Sequence, residues 1–368
     1  MEDQYPPSTP LIPDLPDEIS LQIIARVPRS HHRTLCHVSR SWRSLLLGRL
    51  LFTLRSSLHC TEPTLCLNIH TPLIETQTDS SRWMVLNRGH SHSQPLPSPP
   101  LATVHSGCTT VGPFLFVLGG SLSGLGAPSN VVQILDLRIR RQWSLGPSMS
   151  TARKAVAACF LDGRIYAIGG WLGSSEVWAE SLNPFDTNPQ WVPIDTPFHL
   201  RSDFMFDCVV LSSRIVAKTL AHPGLVAYDP GQNTGSCSAW VLMPEGLKLG
   251  WTGRSAVVNS VLYTYDSVYK IKGYDAGTDK WRPVMGVDID LPTFAICVKL
   301  VNFHGVLCVI WLQSSIENNT NEMVVNWMGL GVTDLGSEGL HGSILWLENV
   351  AVGVPFGSYI LHGVVADF

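Results

Sequence analysis

A repeat of about 50 residues constrains the fold of this chain more than any other feature of its sequence. The segments FLFVLGG (114–120) and RIYAIGG (164–170) are near copies, and their first glycines lie 50 residues apart. A tryptophan follows each copy, and this series continues along the chain at steps of 48, 49 and 41 residues, as Trp143, Trp191, Trp240 and Trp281. A period of this length that holds four short strands is typical of a propeller blade.

Counting these units predicts an all-β propeller of about six blades over residues 56–368. The clearest repeats are residues 101–150, 151–195, 205–245 and 254–286. The first segment, around Trp83, supplies only the later two strands of a blade, and the last segment supplies the earlier two. We therefore expect the ring to be closed by strands from both ends of the domain, which removes exposed sheet edges. The stretches 87–100 and 314–322 are predicted to be loops.

The front of the chain has a different pattern. Residues 1–10 are acidic and rich in proline, which predicts disorder, and residues 11–55 predict a small all-α unit of three short helices. Pro16 suits the first turn of a helix, and Ile19, Ile23 and Ile24 form an apolar stripe at helical spacing. Val27–Pro28 ends this helix, because a residue before proline avoids the helical conformation. A unit this small buries little surface alone and often needs a partner or a neighbouring domain.

The charge is unevenly distributed along the chain. Residues 26–55 contain seven arginines and no acidic residue, although the whole chain has a net charge of −4. The overall charge argues against nucleic-acid binding by the chain as a whole. The basic segment could meet nucleic acid, an anionic membrane or an acidic protein, and the alternative is a solvated helix face.

The cysteines and the apolar runs indicate the compartment. The number of cysteines is nine, and no two are spaced as CxxC, so neither a disulfide framework nor a zinc site is indicated. The N-terminus does not resemble a signal peptide, and no apolar run reaches the roughly 20 residues of a membrane span. We expect a soluble intracellular protein, cytoplasmic or nuclear or both, without a membrane partner.

The repeats resemble kelch repeats. The segment from Leu135 to Gly170 has the aspartate, tryptophan and diglycine of that family in order, whereas no diglycine follows Ile215, Tyr263 or Val309. The two glycines let adjacent layers of backbone approach closely, and the tryptophan fills the wedge between blades. The matching structural positions are Gly119, Gly120, Asp136, Trp143, Gly169, Gly170, Trp191, Trp240 and Trp281.

The helical front end resembles an F-box. The motifs LPDEI, VP and VSRSWRSLL stand in the family's order, and with the repeats they resemble the F-box/kelch proteins of plants. The resemblance implies a substrate receptor of an SCF-type ubiquitin ligase, which docks on a Skp-type adaptor and through it on cullin and RING subunits. The adaptor-binding residues that it implies are Ile12, Pro13, Leu15, Pro16, Ile19, Ile23, Val27, Pro28, Leu35, Val38 and Trp42.

A substrate protein, which the sequence does not identify, is expected at one mouth of the central channel. Arginine and tryptophan are enriched in interface hot spots. The candidate substrate-binding residues are Arg153, Trp171, Arg201, Asp203, Trp251 and Arg254, and the alternative for each is that it fills or solvates a blade edge.

Two other functional classes remain open. The first is a kelch scaffold that binds partners without causing their degradation. The second is a propeller enzyme, which would need a constellation of ligands or catalytic residues that the sequence does not contain. We therefore expect a non-catalytic protein without cofactor or metal.

Overall fold

The computed structural model describes ten ranges of the chain, residues 10–72, 80–122, 126–138, 142–170, 177–195, 205–219, 224–232, 239–294, 297–314 and 322–368. All but the last residue of the segment predicted to be disordered, 1–10, lies outside these ranges. Three predicted substrate-binding residues also lie outside, namely Trp171, Arg201 and Asp203.

The described front end contains four helices, α1 (Asp17–Arg26), α2 (His32–Leu35), α3 (Arg40–Leu47) and α4 (Arg49–Ser57). The prediction of three helices was wrong because it missed α4. Gly48 is extended, with φ −82° and ψ 165°, so it ends α3 and lets a new helix begin at Arg49. The hydroxyl of Ser39 caps α3 by accepting from the backbone N–H of Trp42 at 3.1 Å.

The helices share a small core of four buried side chains, Ile24, Ala25, Leu46 and Leu51. Half-buried residues pack around this core, among them Leu35, Trp42 and Leu54. Since the core is so small, much of the apolar surface of the unit stays outside it.

The remaining described elements are almost all strands. The closing segment and the first repeat contain β1 (Pro63–Thr71), β2 (Ser80–Leu86), β3 (Gln94–Pro95), β4 (Gly107–Val111), β5 (Phe114–Leu118), β6 (Val132–Asp136) and β7 (Trp143–Leu145). The next two repeats contain β8 (Ala157–Leu161), β9 (Arg164–Ile168), β10 (Ala179–Leu182), β11 (Trp191–Ile194), β12 (Met205–Leu211), β13 (Arg214–Thr219), β14 (Leu225–Tyr228) and β15 (Trp240–Leu242).

A short helix, α5 (Glu245–Gly250), follows β15, and the described residues after it contain nine strands. These strands are β16 (Ser255–Val258), β17 (Val261–Asp266), β18 (Lys270–Asp275), β19 (Lys280–Met285), β20 (Val298–Phe303), β21 (Val306–Ser314), β22 (Glu322–Asp334), β23 (Leu340–Pro355) and β24 (Tyr359–Asp367).

Within the described residues the strands form four sheets of four strands and one sheet of eight. Strands β4–β7, β8–β11 and β12–β15 each make one antiparallel sheet in chain order. The eight-stranded sheet contains two antiparallel sets, β16–β19 and β20–β23, which are joined by a parallel pairing of β19 with β23 at Val284 and Met285. The fold is a β-propeller, but the described strands form five sheets rather than one for each of the roughly six predicted blades, because β19 pairs with β23.

The fourth four-stranded sheet has the order β24-β1-β2-β3, so both ends of the domain contribute to it, as predicted. The contribution is uneven, because β24 alone comes from the C-terminal end and pairs antiparallel with β1. The predicted two-plus-two division was wrong, since residues 350–355 extend β23. Strand β3 lies in the stretch 87–100, which was predicted to be a loop, and its Pro95 is tolerated on an outermost strand.

The diglycines connect neighbouring sheets. Gly120 has φ +90°, and its N–H donates to the Arg153 carbonyl of the next repeat at 2.8 Å. A Cβ at this position would lie 2.7 Å from the Val104 carbonyl oxygen, so only glycine fits without displacement. Gly170 has a similar φ of +88°, and a Cβ there would lie 2.8 Å from the Lys154 carbonyl oxygen.

The repeat tryptophans join each outer strand to the preceding unit. Trp143 begins β7, and its indole N–H donates to the Pro97 carbonyl at 2.7 Å. Trp191 and Trp240 donate in the same way to the carbonyls of Pro147 and Asp195, both at 2.9 Å. Trp281 donates to the carbonyls of Gly246 and Leu247 in α5, at 3.1 and 3.2 Å. Asp136 ends β6, and its carboxylate accepts from Arg138.

Candidate functional site

The first candidate surface is an apolar face on α1. Ile19 and Ile23 are four residues apart on one side of the helix, and their exposed fractions are 46% and 45%. Ser20 and Ile24, each one position further along and so about 100° further around the helix, are fully buried. A four-residue spacing puts two side chains on the same helix face. The helix therefore presents an apolar pair to solvent.

None of the eleven predicted adaptor-binding residues is buried within the helical unit. The exposed ones are Pro13, Pro16, Ile19, Ile23, Pro28 and Val38, and the half-buried ones are Ile12, Leu15, Val27, Leu35 and Trp42. The indole N–H of Trp42 donates to the Leu11 carbonyl at 2.7 Å, which holds the segment before α1 against α3. Contact of these residues with an adaptor stays a prediction.

The helical unit is attached to the propeller by two arginines. Arg55 is buried, and its guanidinium donates to the carbonyls of Ala25 and Val27 and to Glu62 Oε1, at 2.7, 2.9 and 2.9 Å. Arg29 donates from its side chain to Thr64 of β1 at 2.8 Å, and its guanidinium lies 3.4 Å from the ring centroid of Phe368. These contacts join the helices to the sheet that closes the ring.

Helix α4 adds an apolar contact to this junction. The Phe52 ring lies so close to Gly112, in the turn between β4 and β5, that a Cβ at this glycine would be 2.8 Å from the ring. Phe52 also packs against the cluster that contains Trp83, Leu115 and Trp143. The orientation of the helical unit on the propeller is thus fixed by both polar and apolar contacts.

The second candidate surface is the central channel of the propeller, with a volume of about 850 Å³. Its walls come from the strands β4, β8, β12, β16, β20 and β24, each of which contacts the next. The charged lining residues in the described part of the chain are Asp207, Arg254 and Lys299, and the other titratable ones are His105, Cys108, Cys159, Cys208 and His362.

The charged residues lie together near the amino-terminal ends of these inner strands. Asp207 Oδ2 accepts from the N–H and the hydroxyl of Ser255 at 2.9 and 2.6 Å. Arg254 Nη1 lies 3.8 Å from Asp207 Oδ1. Burial raises the pKa of Asp207, an effect that Arg254 and Ser255 oppose.

Lys299 and His362 complete this cluster. Burial and the nearby Arg254 lower the pKa of Lys299 to about 7, although Asp207 opposes the shift. Burial, Lys299 and Arg254 lower the pKa of His362 to about 3, so its ring is neutral at pH 7. His362 Nε2 is hydrogen-bonded to Ser106 Oγ at 3.1 Å, and its ring stacks on Trp83 with the centroids 6.0 Å apart.

Of the three predicted substrate-binding residues that the structure describes, Arg254 lines the channel, and the other two must be corrected. Arg153 is fully buried, and its guanidinium donates to Glu180 at 2.9 Å and to the carbonyls of Gly169, Val177 and Trp178. Trp251 is fully buried among Val209, Leu247 and Leu262. Both side chains are inaccessible to a partner protein because they are interior parts of the propeller.

Sequence reasoning missed Asp207, Lys299 and His362. The signal for Lys299 was a single lysine inside the apolar run CVKLVNF, where a charge is costly to bury. The other two gave no local signal, because only ring closure brings β24 and β12 to the same channel. No group of three or more metal-ligating side chains occurs among the described residues, and no helix there is long and apolar enough to span a membrane.

Comparisons with known proteins agree with this architecture. The family model described as FKB95, Kelch-repeats domain matches residues 64–351, and the F-box domain model matches residues 12–53. The F-box/kelch-repeat protein At4g19870 of Arabidopsis thaliana is 29% identical over 98% of this chain and 94% of its own length. The putative F-box/kelch-repeat protein At2g29820 of the same organism is 32% identical over 80% of this chain and 75% of its own length.

Among solved structures, that of YjhT matches with a TM-score of 0.50 at 13% identity, covering 76% of this chain and 97% of the other. At this identity the match speaks for the propeller fold alone. The family models cover the helical unit and most of the propeller, and the relatives extend over most of the chain. The chain belongs to the F-box/kelch-repeat family.

Proposed function

We propose that this protein is a substrate receptor of an SCF-type ubiquitin ligase. The observation that carries the proposal is the exposed apolar pair Ile19 and Ile23, on a helical unit fixed to a propeller. A solvent-facing apolar patch on a unit with so small a core marks an interaction site. The F-box would dock on a Skp-type adaptor through this face, and the adaptor would supply the link to cullin and RING subunits.

The charge of the helical unit supports an acidic adaptor surface. Arg26, Arg33, Arg40 and Arg43 are exposed, and the segment that carries them contains no acidic residue. Complementary charge speeds the encounter of two proteins more than it tightens their complex. We therefore assign affinity to the apolar pair and the association rate to the arginines.

The propeller would hold the protein to be ubiquitinated. Arg254 at the mouth of the channel supports this assignment, and Trp171, Arg201 and Asp203 remain candidate contacts. The chain itself would be non-catalytic, because ubiquitin transfer belongs to the other subunits, and it would act in the cytoplasm, the nucleus or both.

We also propose that the ring has six blades, with the eight-stranded sheet counted as two. Each half of that sheet is an antiparallel set of four strands, and only two residue pairs join the halves. Six inner strands surround the channel. Each four-strand set also shares an apolar cluster with the next set around the ring.

The test compares the full-length protein with the full-length variant Ile19→Asp/Ile23→Asp, by proximity labelling and by the lifetimes of the labelled proteins. We expect the variant to accumulate a target that the wild type causes to be degraded. A target that binds both forms equally and has the same lifetime with either would contradict degradation and favour the scaffold function.

A further inference from the structure

The charges in the channel are concentrated at one end. Asp207, Arg254, Lys299 and His362 lie near the amino-terminal ends of four inner strands. The opposite end of the channel is lined by uncharged residues, namely the turn residues Ser212, Ser213, Asn259 and Ser260 and the strand residue Asn302. A ligand that is recognised by its charge would therefore bind only at the end that carries these four residues.

The two cations at this end lie at different depths. The side chain of Arg254 is 46% exposed, whereas Lys299 is only 8% exposed. A group that enters from solvent would meet the guanidinium first and the ammonium second. Because burial strengthens electrostatic attraction, the deeper lysine can contribute strongly to the affinity for an anion.

Lys299 has no hydrogen-bond or ion-pair partner within the part of the chain that the structure describes. Among the described residues its ammonium makes no hydrogen bond and no ion pair, whereas Asp207 is already bonded to Ser255. A buried ammonium without a partner is destabilising, so a ligand that pairs with it would recover this energy. This residue is the strongest sign of a ligand in the channel.

The charge balance selects the ligand class. Among the described residues, one carboxylate and two cations give this end of the channel a formal charge of +1 when Lys299 is protonated, since His362 is neutral. A monoanion neutralises that charge, whereas a phosphate dianion would leave an excess negative charge beside Asp207. The hydroxyl of Ser106, next to His362, provides a further hydrogen-bond donor.

We propose that this end of the channel binds a carboxylate side chain of the target protein, between Arg254 and Lys299. The inference rests on the proposed function, because it names the chemistry by which the propeller recognises its target. A glutamate or aspartate in an exposed segment of the target would insert into the mouth of the channel.

The experiment uses the full chain and a fluorescein-labelled hexapeptide with four glutamates and an amidated C-terminus. Binding is measured by fluorescence anisotropy for the wild type, for Lys299→Met and for the control Lys280→Met, which removes the same charge from an exposed position. We expect Lys299→Met to weaken binding at least tenfold and Lys280→Met to change it less than twofold. The same peptide with glutamines should bind at least tenfold more weakly.

Equal binding of the two peptides, no binding of either, or unchanged binding by Lys299→Met would overturn the proposal. The monoanion acetate is tested in parallel by thermal shift, and Lys299-dependent stabilisation by acetate without peptide binding would overturn the assignment to a protein segment. Adaptor binding by the same preparations separates this proposal from the proposed function. If the peptide does not bind but the adaptor still does, the carboxylate proposal fails while the proposed adaptor function stands.

Discussion

Arg55 Nη2 donates to Glu62 Oε1 at 2.9 Å, and this ion pair joins the last F-box helix to the segment that leads into the propeller. The same guanidinium donates to the Ala25 and Val27 carbonyls, at the end of α1. One side chain thus ties the helix that carries the exposed apolar pair to the rest of the molecule. The position of the docking face depends on this arginine.

We expect Arg55→Met to loosen α1, because two carbonyls and a carboxylate lose their donor, at a cost of about 1–3 kcal/mol. Hydrogen exchange should show α1 amides losing at least tenfold protection, with β5 amides unchanged. Arg33→Met, which changes an exposed arginine, serves as the control. Unchanged exchange in α1 would show that the apolar core alone positions the helix.

A second prediction concerns how much the buried pair Arg153 and Glu180 contributes to stability. Both side chains are fully buried, and Glu180 also accepts from the N–H and hydroxyl of Ser150. Arg153→Met leaves a buried carboxylate without its cation, so we expect a loss of about 3–5 kcal/mol in the free energy of unfolding. Arg214→Met, at a half-exposed ion pair, should cost no more than about 1 kcal/mol.

Denaturant unfolding measures both effects. The double variant Arg153→Met/Glu180→Leu should recover part of the loss, because it removes the unpaired charge. Equal losses for Arg153→Met and Arg214→Met would contradict the assignment of Arg153 to the interior of the propeller.

The sequence predicted the parts of the fold that depend on local pattern. The spacing of Trp143, Trp191 and Trp240 indicated the repeats, and the stripe at Ile19 and Ile23 indicated an amphipathic helix. The extra helix α4 was missed because its start depends on the extended backbone of Gly48. That conformation has no signature in the residues around it.

The site was less predictable because burial depends on tertiary contacts. Arg153 and Arg254 are both arginines that precede an inner strand. Arg153 is nevertheless enclosed by Glu180 and three carbonyls, whereas Arg254 reaches solvent. Lys299 and His362 are 63 residues apart and meet only because β24 enters the ring beside β20. No local pattern contains that information.

Lys299 gives a prediction for the pH dependence of stability. Its pKa in the folded chain is about 7, against an ordinary value of 10.5. Between these values the unfolded chain binds a proton that the folded chain lacks, so this residue makes stability rise with pH across the window. Its destabilising effect is largest at pH 7 and below.

Lys299→Met should therefore raise the free energy of unfolding at pH 7 by about 1–4 kcal/mol. The gain should shrink towards pH 10, as measured by calorimetry at pH 7, 8.5 and 10. Lys280→Met should show neither the gain nor the trend. A gain that is equal at all three pH values would contradict the lowered pKa.

The central claim is that the face of α1 docks on a Skp-type adaptor. The most direct measurement is the Kd of the full-length chain for a purified adaptor, by calorimetric titration, for the wild type and for Ile19→Asp/Ile23→Asp. Val268→Asp, at a position on the propeller that is 74% exposed, is the matched control. We predict micromolar or tighter binding by the wild type and the control, and at least a hundredfold loss in the double variant. A wild type that does not bind, or a double variant that binds as tightly as the control, would contradict the account.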